Sequence, residues 1–181
     1  NHLHCIASFI ELGEYQDALH YINEIYATSR HLSSTVNSGN SLISSLLNNA
    51  RDRAGQNHIT MTVNVMVPPA LPIDNVDLCI ILGNLLDNSL EACCRMETDD
   101  GERFIDVEII YKKSFLFIKV SNSFNGQYLL NGTRYESMKK EQHFCGIGLS
   151  NVRTTTEKYS GEMKVTPGEK VFTITVMLKL E

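Results

Sequence analysis

The sequence predicts an α+β fold: a mixed, mostly antiparallel sheet covered by helices on one face, preceded by an α-helical hairpin. Three observations carry this. Beyond residue 40, the hydrophobic period switches between helical steps of three and four and the alternation of strands, in the order α-β-α-β-β-loop-α-β-β. Two strand pairs close through short turns, at Lys112-Lys113-Ser114 and Pro167-Gly168, as antiparallel hairpins do. Before residue 33, two helical patterns flank a single break.

The hairpin comes first. Leu3, Ile6 and Ile10 mark one helix, and Leu12-Gly13-Glu14 is the break, with Gly13 suited to a C-cap. Tyr15, Ala18, Leu19, Ile22, Ile25, Tyr26, Ser29 and Leu32 form one apolar stripe on the second helix. A short helical hairpin cannot bury such a stripe by itself. It either packs on its own domain or pairs as a dimeric four-helix bundle, and periodicity does not choose between them. The polar run from Ser33 to Asn40 reads as a linker, which gives a hairpin over residues 1–36 and a main domain over 37–181.

In the main domain, Leu42, Ile43, Leu46, Leu47 and Ala50 predict a helix. Ile59, Met61, Val63, Val65 and Val67 alternate with polar residues and predict a half-buried strand stopped by Pro68-Pro69. A long helix runs from Asp74 to about Arg95, and Asp99-Asp100-Gly101 forms a loop. Ile105, Val107, Ile109 and Tyr111 predict a strand, and Phe115 to Val120 its return. Residues 123–145 show no sustained periodicity; a segment of that length is usually a lid or binding loop, or is disordered. A helix from Gly146 to Tyr159 and a final hairpin complete the chain.

Composition narrows the function. With 181 residues, 43% hydrophobic and 20% charged, the chain is globular, and its net charge of -5 without a long basic run argues against binding duplex nucleic acid or a membrane surface. No stretch reaches the roughly 18 apolar residues of a spanning helix. The chain opens at Asn1-His2-Leu3 without a Met, so it reads as a fragment of a longer protein. Five scattered cysteines, two adjacent and none in a CxxC, fit a reducing compartment rather than a disulfide or zinc framework.

Three features carry chemistry. The long helix has a burying stripe (Leu78, Ile81, Leu82, Leu85, Ser89, Ala92) and a polar one (Asn84, Asp87, Asn88, Glu91, Arg95). Asn is a weak helix former, so two stacked four apart beside acids need an explanation. Oxygen donors at that spacing suit Mg²⁺, which takes one or two protein oxygens and completes its shell with phosphates and water; a solvated polar face is the plainer reading. Gly146-Ile147-Gly148-Leu149 ends a long loop and opens a helix, where backbone N–H groups and the helix dipole favour an anion; an ordinary loop-to-helix junction is the alternative. Asn122, at a strand end beside the long loop, offers an amide carbonyl that can accept from a purine amino group, or simply begins a turn.

In this order, the three features resemble the Bergerat-fold ATPases, the superfamily of gyrases, heat-shock chaperone ATPases, mismatch-repair ATPases and sensor histidine kinases. Asn84-Leu85-Leu86-Asp87-Asn88-Ser89-Leu90-Glu91-Ala92 resembles the N-box and Gly146-Ile147-Gly148-Leu149 the second glycine box, and Asn122 falls where the first begins. Asn1-His2-Leu3, Leu12-Gly13-Glu14-Tyr15 and Asn37-Ser38-Gly39-Asn40 resemble the dimerisation helices of peptide-sensing histidine kinases.

The resemblance implies an α/β sandwich binding ATP with Mg²⁺. Asn88 corresponds to the metal-binding Asn, Asn84 to its supporting polar neighbour, and Gly146, Gly148 and Leu149 to the phosphate-facing box. Residues 123–145 correspond to the lid, where Arg134, Lys139 or Lys140 would neutralise phosphate. Asn122 stands in place of the usual adenine-contacting Asp, and Phe124 where a glycine is common. The implied activity is transfer of the ATP γ-phosphoryl to a histidine, then to an aspartate on a response-regulator receiver domain. The acceptor His would lie four residues before Asn1, so neither His2 nor His4 is expected to accept. The expected setting is a cytoplasmic, homodimeric part of a membrane sensor. A non-catalytic module of this fold and an anti-sigma-factor type serine kinase are the alternatives.

Overall fold

A computed structural model describes residues 2–27, 36–97, 101–126, 128–130, 133–135 and 147–181. The chain divides into two compact units, Asn1–Ser34 and Thr35–Glu181. Among the described residues, no helix is long and apolar enough to cross a membrane.

The first unit is a hairpin of α1 (His2–Glu11) and α2 (Tyr15–Ala27). Gly13 ends α1 in the left-handed region at φ 76°. There the Glu14 amide donates to the Phe9 carbonyl at 2.9 Å and the Gly13 amide to Ile10 at 3.1 Å, the paired bonds of a Schellman C-cap. Phe9 and Tyr21 pack across the hairpin with ring centroids 6.2 Å apart. Ala18 is buried, whereas Ile10, Leu12, Tyr15 and Leu19 are exposed.

The second unit opens with α3 (Ser41–Gln56), capped by Asn40, whose side chain accepts from the Ile43 amide at 3.1 Å. Residues before the cap fold back on the helix: Val36 exchanges two hydrogen bonds with the Asn48 amide, at 2.7 and 3.1 Å. Then come β1 (Thr60–Met66), α4 (Asn75–Cys94), β2 (Phe104–Lys112), β3 (Phe115–Ser123), β4 (Tyr128–Leu130), β5 (Thr133–Tyr135), α5 (Ile147–Lys158), β6 (Glu162–Pro167) and β7 (Val171–Lys179). Five strands form one sheet in the order β1-β2-β3-β7-β6. Among the described strands of this sheet, only β1 and β2 run parallel, joined through α4, and the other pairs are antiparallel. The predicted mixed, mostly antiparallel sheet is thus observed.

Alternation along the strands decides which face is covered. Leu116, Ile118 and Val120 of β3 are buried with Ile105, Val107 and Ile109 of β2 and Ile174, Val176 and Leu178 of β7. The helices supply Ile43 and Leu47 from α3, Leu78, Ile81, Leu82 and Leu85 from α4, and Leu149 and Val152 from α5 to the same cluster. Each buried aliphatic side chain contributes about 1.5–3 kcal/mol of transfer free energy, so this layer orients α4 and α5 on the sheet. The opposite face, with Thr62, Asn64, Asp106 and Lys119, is exposed.

Three boundaries differ from expectation. β3 extends to Ser123, past Val120, because it is bonded on both sides: Ser121, Asn122 and Ser123 each pair with β7, and the first two also with β2. That double ladder overrides their weak β-propensity. The segment read as a lid from residue 123 therefore starts later, since Ser123 belongs to the sheet and Phe124 is buried. Inside that segment β4 and β5 pair as a small ribbon, too short to show an alternation in sequence.

Candidate functional site

The site is built where α4 meets the first turn of α5. Both are anchored by apolar residues on one side, which leaves the Asn-bearing side of α4 toward α5. Asn84 is half-buried and its amide nitrogen donates to the Ile80 carbonyl at 2.7 Å, one turn back on its own helix. One turn on, the Asn88 amide nitrogen is buried with no hydrogen-bond partner among the described residues, the one such side-chain atom there. Leaving a buried donor unmade costs about 1–3 kcal/mol, so this group marks a place where a partner belongs.

Gly148, the second residue of α5, closes against this pair. A Cβ at Gly148 would lie 2.7 Å from Asn84 Oδ1 and 3.6 Å from Asn88 Nδ2. At this approach any Cβ on Gly148 would force the Asn84 side chain to move. The first-turn amides of α5 have no partners within their own helix, and that end carries partial positive charge. A buried amide without a partner among the described residues, beside a helix N-terminus, makes a cradle for an anion. The two orientations of an Asn amide are nearly isosteric, so Asn88 can present either a donor to a phosphate oxygen or a carbonyl oxygen to a cation. The donor chemistry therefore fits an Mg²⁺–phosphate group.

The other sequence-predicted residues separate. Leu149 is buried in the core, where it seats α5. Asn122 is 2% exposed on the helix-facing side of β3, and its amide nitrogen donates to the Ser123 carbonyl at 2.9 Å. That bond fixes the amide orientation and leaves the carbonyl oxygen as its acceptor. Gly146, Lys139 and Lys140 lie outside the described residues, as does the side chain of Arg134. Asp87 and Glu91 of the polar stripe are spent at the surface, in ion pairs with Arg53 and Arg95. Surface pairs of this kind contribute at most about 1 kcal/mol.

Phe124, standing where a glycine is common, packs inward. It is 4% exposed and meets Phe172 edge-on at 5.8 Å. The Phe124 amide donates to the Lys170 carbonyl at 3.1 Å. A Cβ at Gly126, which has a φ of 75°, would lie 3.2 Å from the Glu169 carbonyl oxygen. This stretch is thus docked on the β6–β7 turn, and its bulk is absorbed by packing.

Sequence reasoning missed a buried carboxylate. Asp77, 9% exposed in the first turn of α4, meets Lys158 Nζ and Tyr159 Oη at the far end of α5, each at 2.8 Å. The Lys158 and Tyr159 hydrogen bonds hold its carboxyl below the usual value, against burial, which pushes the other way. Asp77 raises the Lys158 ammonium in turn, and burial raises the Tyr159 hydroxyl. Helix-end charge was the one available sign: an acid opens α4 and a lysine closes α5.

Two further groups are structural. The Cys93 thiol is buried against the Phe104 and Ser123 carbonyls at 3.3 and 3.4 Å, and burial raises its pKa, which keeps it the unreactive thiol. A shallow groove of about 260 Å³ crosses the open face between Thr62, Asn64, Asp106, Glu108 and Lys119. Its Thr62–Asp106 hydrogen bond is an ordinary cross-strand contact between register partners. Among the described residues, no three His, Cys, Asp or Glu side chains gather to hold a metal.

Comparison with known proteins places these observations. A family model for the GHKL domain matches residues 73–179, from the start of α4 to the end of β7. A probable C4-dicarboxylate sensor kinase of Halalkalibacterium halodurans is 27% identical over 175 residues, covering 91% of this chain. The chain spans about a third, 32%, of that relative's length. Among solved structures, the histidine kinase AdeS of Acinetobacter baumannii superposes with a TM-score of 0.58 at 12% identity, over 94% of this chain and 82% of that one. The catalytic domain of the histidine kinase ThkA, in a nucleotide-free form, gives 0.58 at 16% identity, over 80% and 93%. The histidine kinase domain of a blue-light activated kinase from Erythrobacter litoralis gives 0.54 at 15% identity, over 99% and 88%. At these identities the structures show a shared fold.

Proposed function

Because the chain belongs to the GHKL domain family, we propose that it is the ATP-binding catalytic portion of a two-component sensor histidine kinase. In this reading it transfers the ATP γ-phosphoryl to a histidine, and from there to the aspartate of a response-regulator receiver domain. The observation that carries the proposal is the buried Asn88 amide nitrogen, without a partner among the described residues, facing Gly148 at the start of α5.

Asn88, supported by Asn84, holds Mg²⁺. Gly148, with Gly146 before it, presents backbone donors to phosphate oxygens, and Leu149 keeps that turn seated. Asn122 accepts from the adenine amino group. Held there, Mg²⁺ would supply positive charge against the charge that builds on the transferred phosphoryl group. The chain's own work is positioning: glycine permits close approach, the helix N-terminus offers fixed dipoles, and the half-buried Asn pair supplies polar groups already held in place. The exposed Ile10, Leu12, Tyr15 and Leu19 of the hairpin support self-association of the parent kinase as a homodimer.

Thermal melting tests the nucleotide reading. Mg²⁺-ATP at a hundred times its Kd stabilises a one-site protein by about 2.7 kcal/mol, several degrees at this size. A melting curve unmoved by millimolar Mg²⁺-ATP would count against it.

A further inference from the structure

Asp77 and Asn88 are eleven residues apart on α4, and Gly148 and Tyr159 are eleven apart along α5 and the turn that ends it. Eleven residues are three helical turns, about 16 Å, so each pair occupies one face of its helix. The pairs meet crosswise. Gly148 lies against Asn84 and Asn88, while Tyr159 and Lys158 bond Asp77. The two helices are therefore antiparallel and fastened at two points three turns apart.

The fastenings differ from the packing between them. Leu149 and Val152 bury apolar surface, and such contact is non-directional. The Thr156 hydroxyl bonds the Val152 carbonyl of its own helix at 2.7 Å. The Asp77 end is directional: Tyr159 donates to one carboxylate oxygen, Lys158 to the other, and Tyr159 also accepts from the Asp74 amide at 3.2 Å. A slip along the axis strains these bonds, which are 2.8 Å long, away from their best geometry. At the other end the same slip opens or closes the gap in which Gly148 has no room for a Cβ.

We propose that Asp77, Lys158 and Tyr159 are positioning residues for the nucleotide site: they set how far α5 slides along α4, and so hold Gly148 in place against Asn84 and Asn88. This rests on the nucleotide-binding reading above. It assigns control of that site to a polar clamp three turns away, touching neither phosphate nor metal. It also gives the pair of eleven-residue spacings a purpose, since both contacts form together only in one register.

The test compares Tyr159→Phe and Asp77→Asn with Thr62→Gly, a variant that weakens edge strand β1 on the open face, opposite the helices. Two quantities are read: Mg²⁺-ADP affinity by calorimetry, and the ¹⁵N–¹H signals of the Gly148 backbone and the Asn88 side-chain amide without nucleotide. The clamp variants are expected to shift both signals and to weaken Mg²⁺-ADP about tenfold, a typical size for coupling between separated sites. Thr62→Gly lowers the melting temperature and moves neither. Clamp variants that melt lower but keep wild-type signals and affinity would overturn the proposal, because stability would then be their whole role. If the unaltered protein binds no nucleotide, the binding reading fails by itself, and the two signals still decide whether the clamp sets the register. Tyr159→Phe removes one hydroxyl and keeps the ring, so it serves if Asp77→Asn does not fold.

Discussion

Gly148 stands so close to Asn84 that a Cβ on it would lie 2.7 Å from the Asn84 side-chain oxygen. The Asn84 amide is not free to retreat, because its nitrogen is bonded to Ile80 on the same helix. Gly148→Ala therefore sets two effects against each other. Alanine is better than glycine within a helix by up to about 1 kcal/mol, which offsets much of the cost of moving the Asn84 side chain. The expected outcome is a melting temperature within a few degrees of wild type, with Mg²⁺-nucleotide affinity reduced at least tenfold. Equal losses of stability and affinity would point to a merely structural glycine.

Asn88 carries the opposite sign for stability. Its amide nitrogen is buried without a partner among the described residues, and Asn is a poorer helix former than Ala. Asn88→Ala should leave the nucleotide-free protein as stable as wild type or up to about 1 kcal/mol more stable, by chemical denaturation. A loss of 2 kcal/mol or more would mean that the side chain already makes a structural bond.

Asp77 governs the acid limb of stability. Its carboxyl is depressed below 3.8 by the Lys158 and Tyr159 hydrogen bonds, with Asp74 the other nearby acid. A depressed carboxyl contributes stability that is complete above its unfolded value and lost as pH falls through the folded one. Lys158 is raised above 10.5, so its share is complete below that value and lost as pH rises through the folded one. Asp77→Asn should lower stability at pH 7 and flatten the fall below pH 4, read from denaturation midpoints across pH. A parallel displacement of the whole curve would show that Asp77 does not titrate with folding.

The hairpin leaves Ile10, Leu12, Tyr15 and Leu19 in solvent. Light scattering should show concentration-dependent self-association, reduced by Leu19→Glu. A monomer at every concentration tested would remove the hairpin from the dimer.

His2 and His4 are not expected to accept phosphate. Incubation with labelled ATP should leave no acid-labile, base-stable label on either; label mapped to them would reassign the acceptor.

Much of this was legible in the sequence because it rests on periodicity. The α4 pattern displays its burying stripe and its Asn pair together, and the glycine before Leu149 announces a close approach at a helix start. What escaped depends on contacts distant in the chain. Asp77 and Tyr159 are separated by 82 residues, and neither belongs to a motif. Phe124 looked like a defect until Phe172, on a strand from the far end of the chain, supplied the surface it packs on. The β4–β5 ribbon has three residues on each side, too few for alternation to register, although Asn131-Gly132 between them is a recognised hairpin pair.

The most direct test of the central claim is calorimetric titration of wild type and Asn88→Ala with a non-hydrolysable ATP analogue, with and without Mg²⁺. The account predicts Mg²⁺-dependent binding to wild type and its loss in a variant that melts no lower. Equal binding by both proteins, or binding indifferent to Mg²⁺, would contradict it.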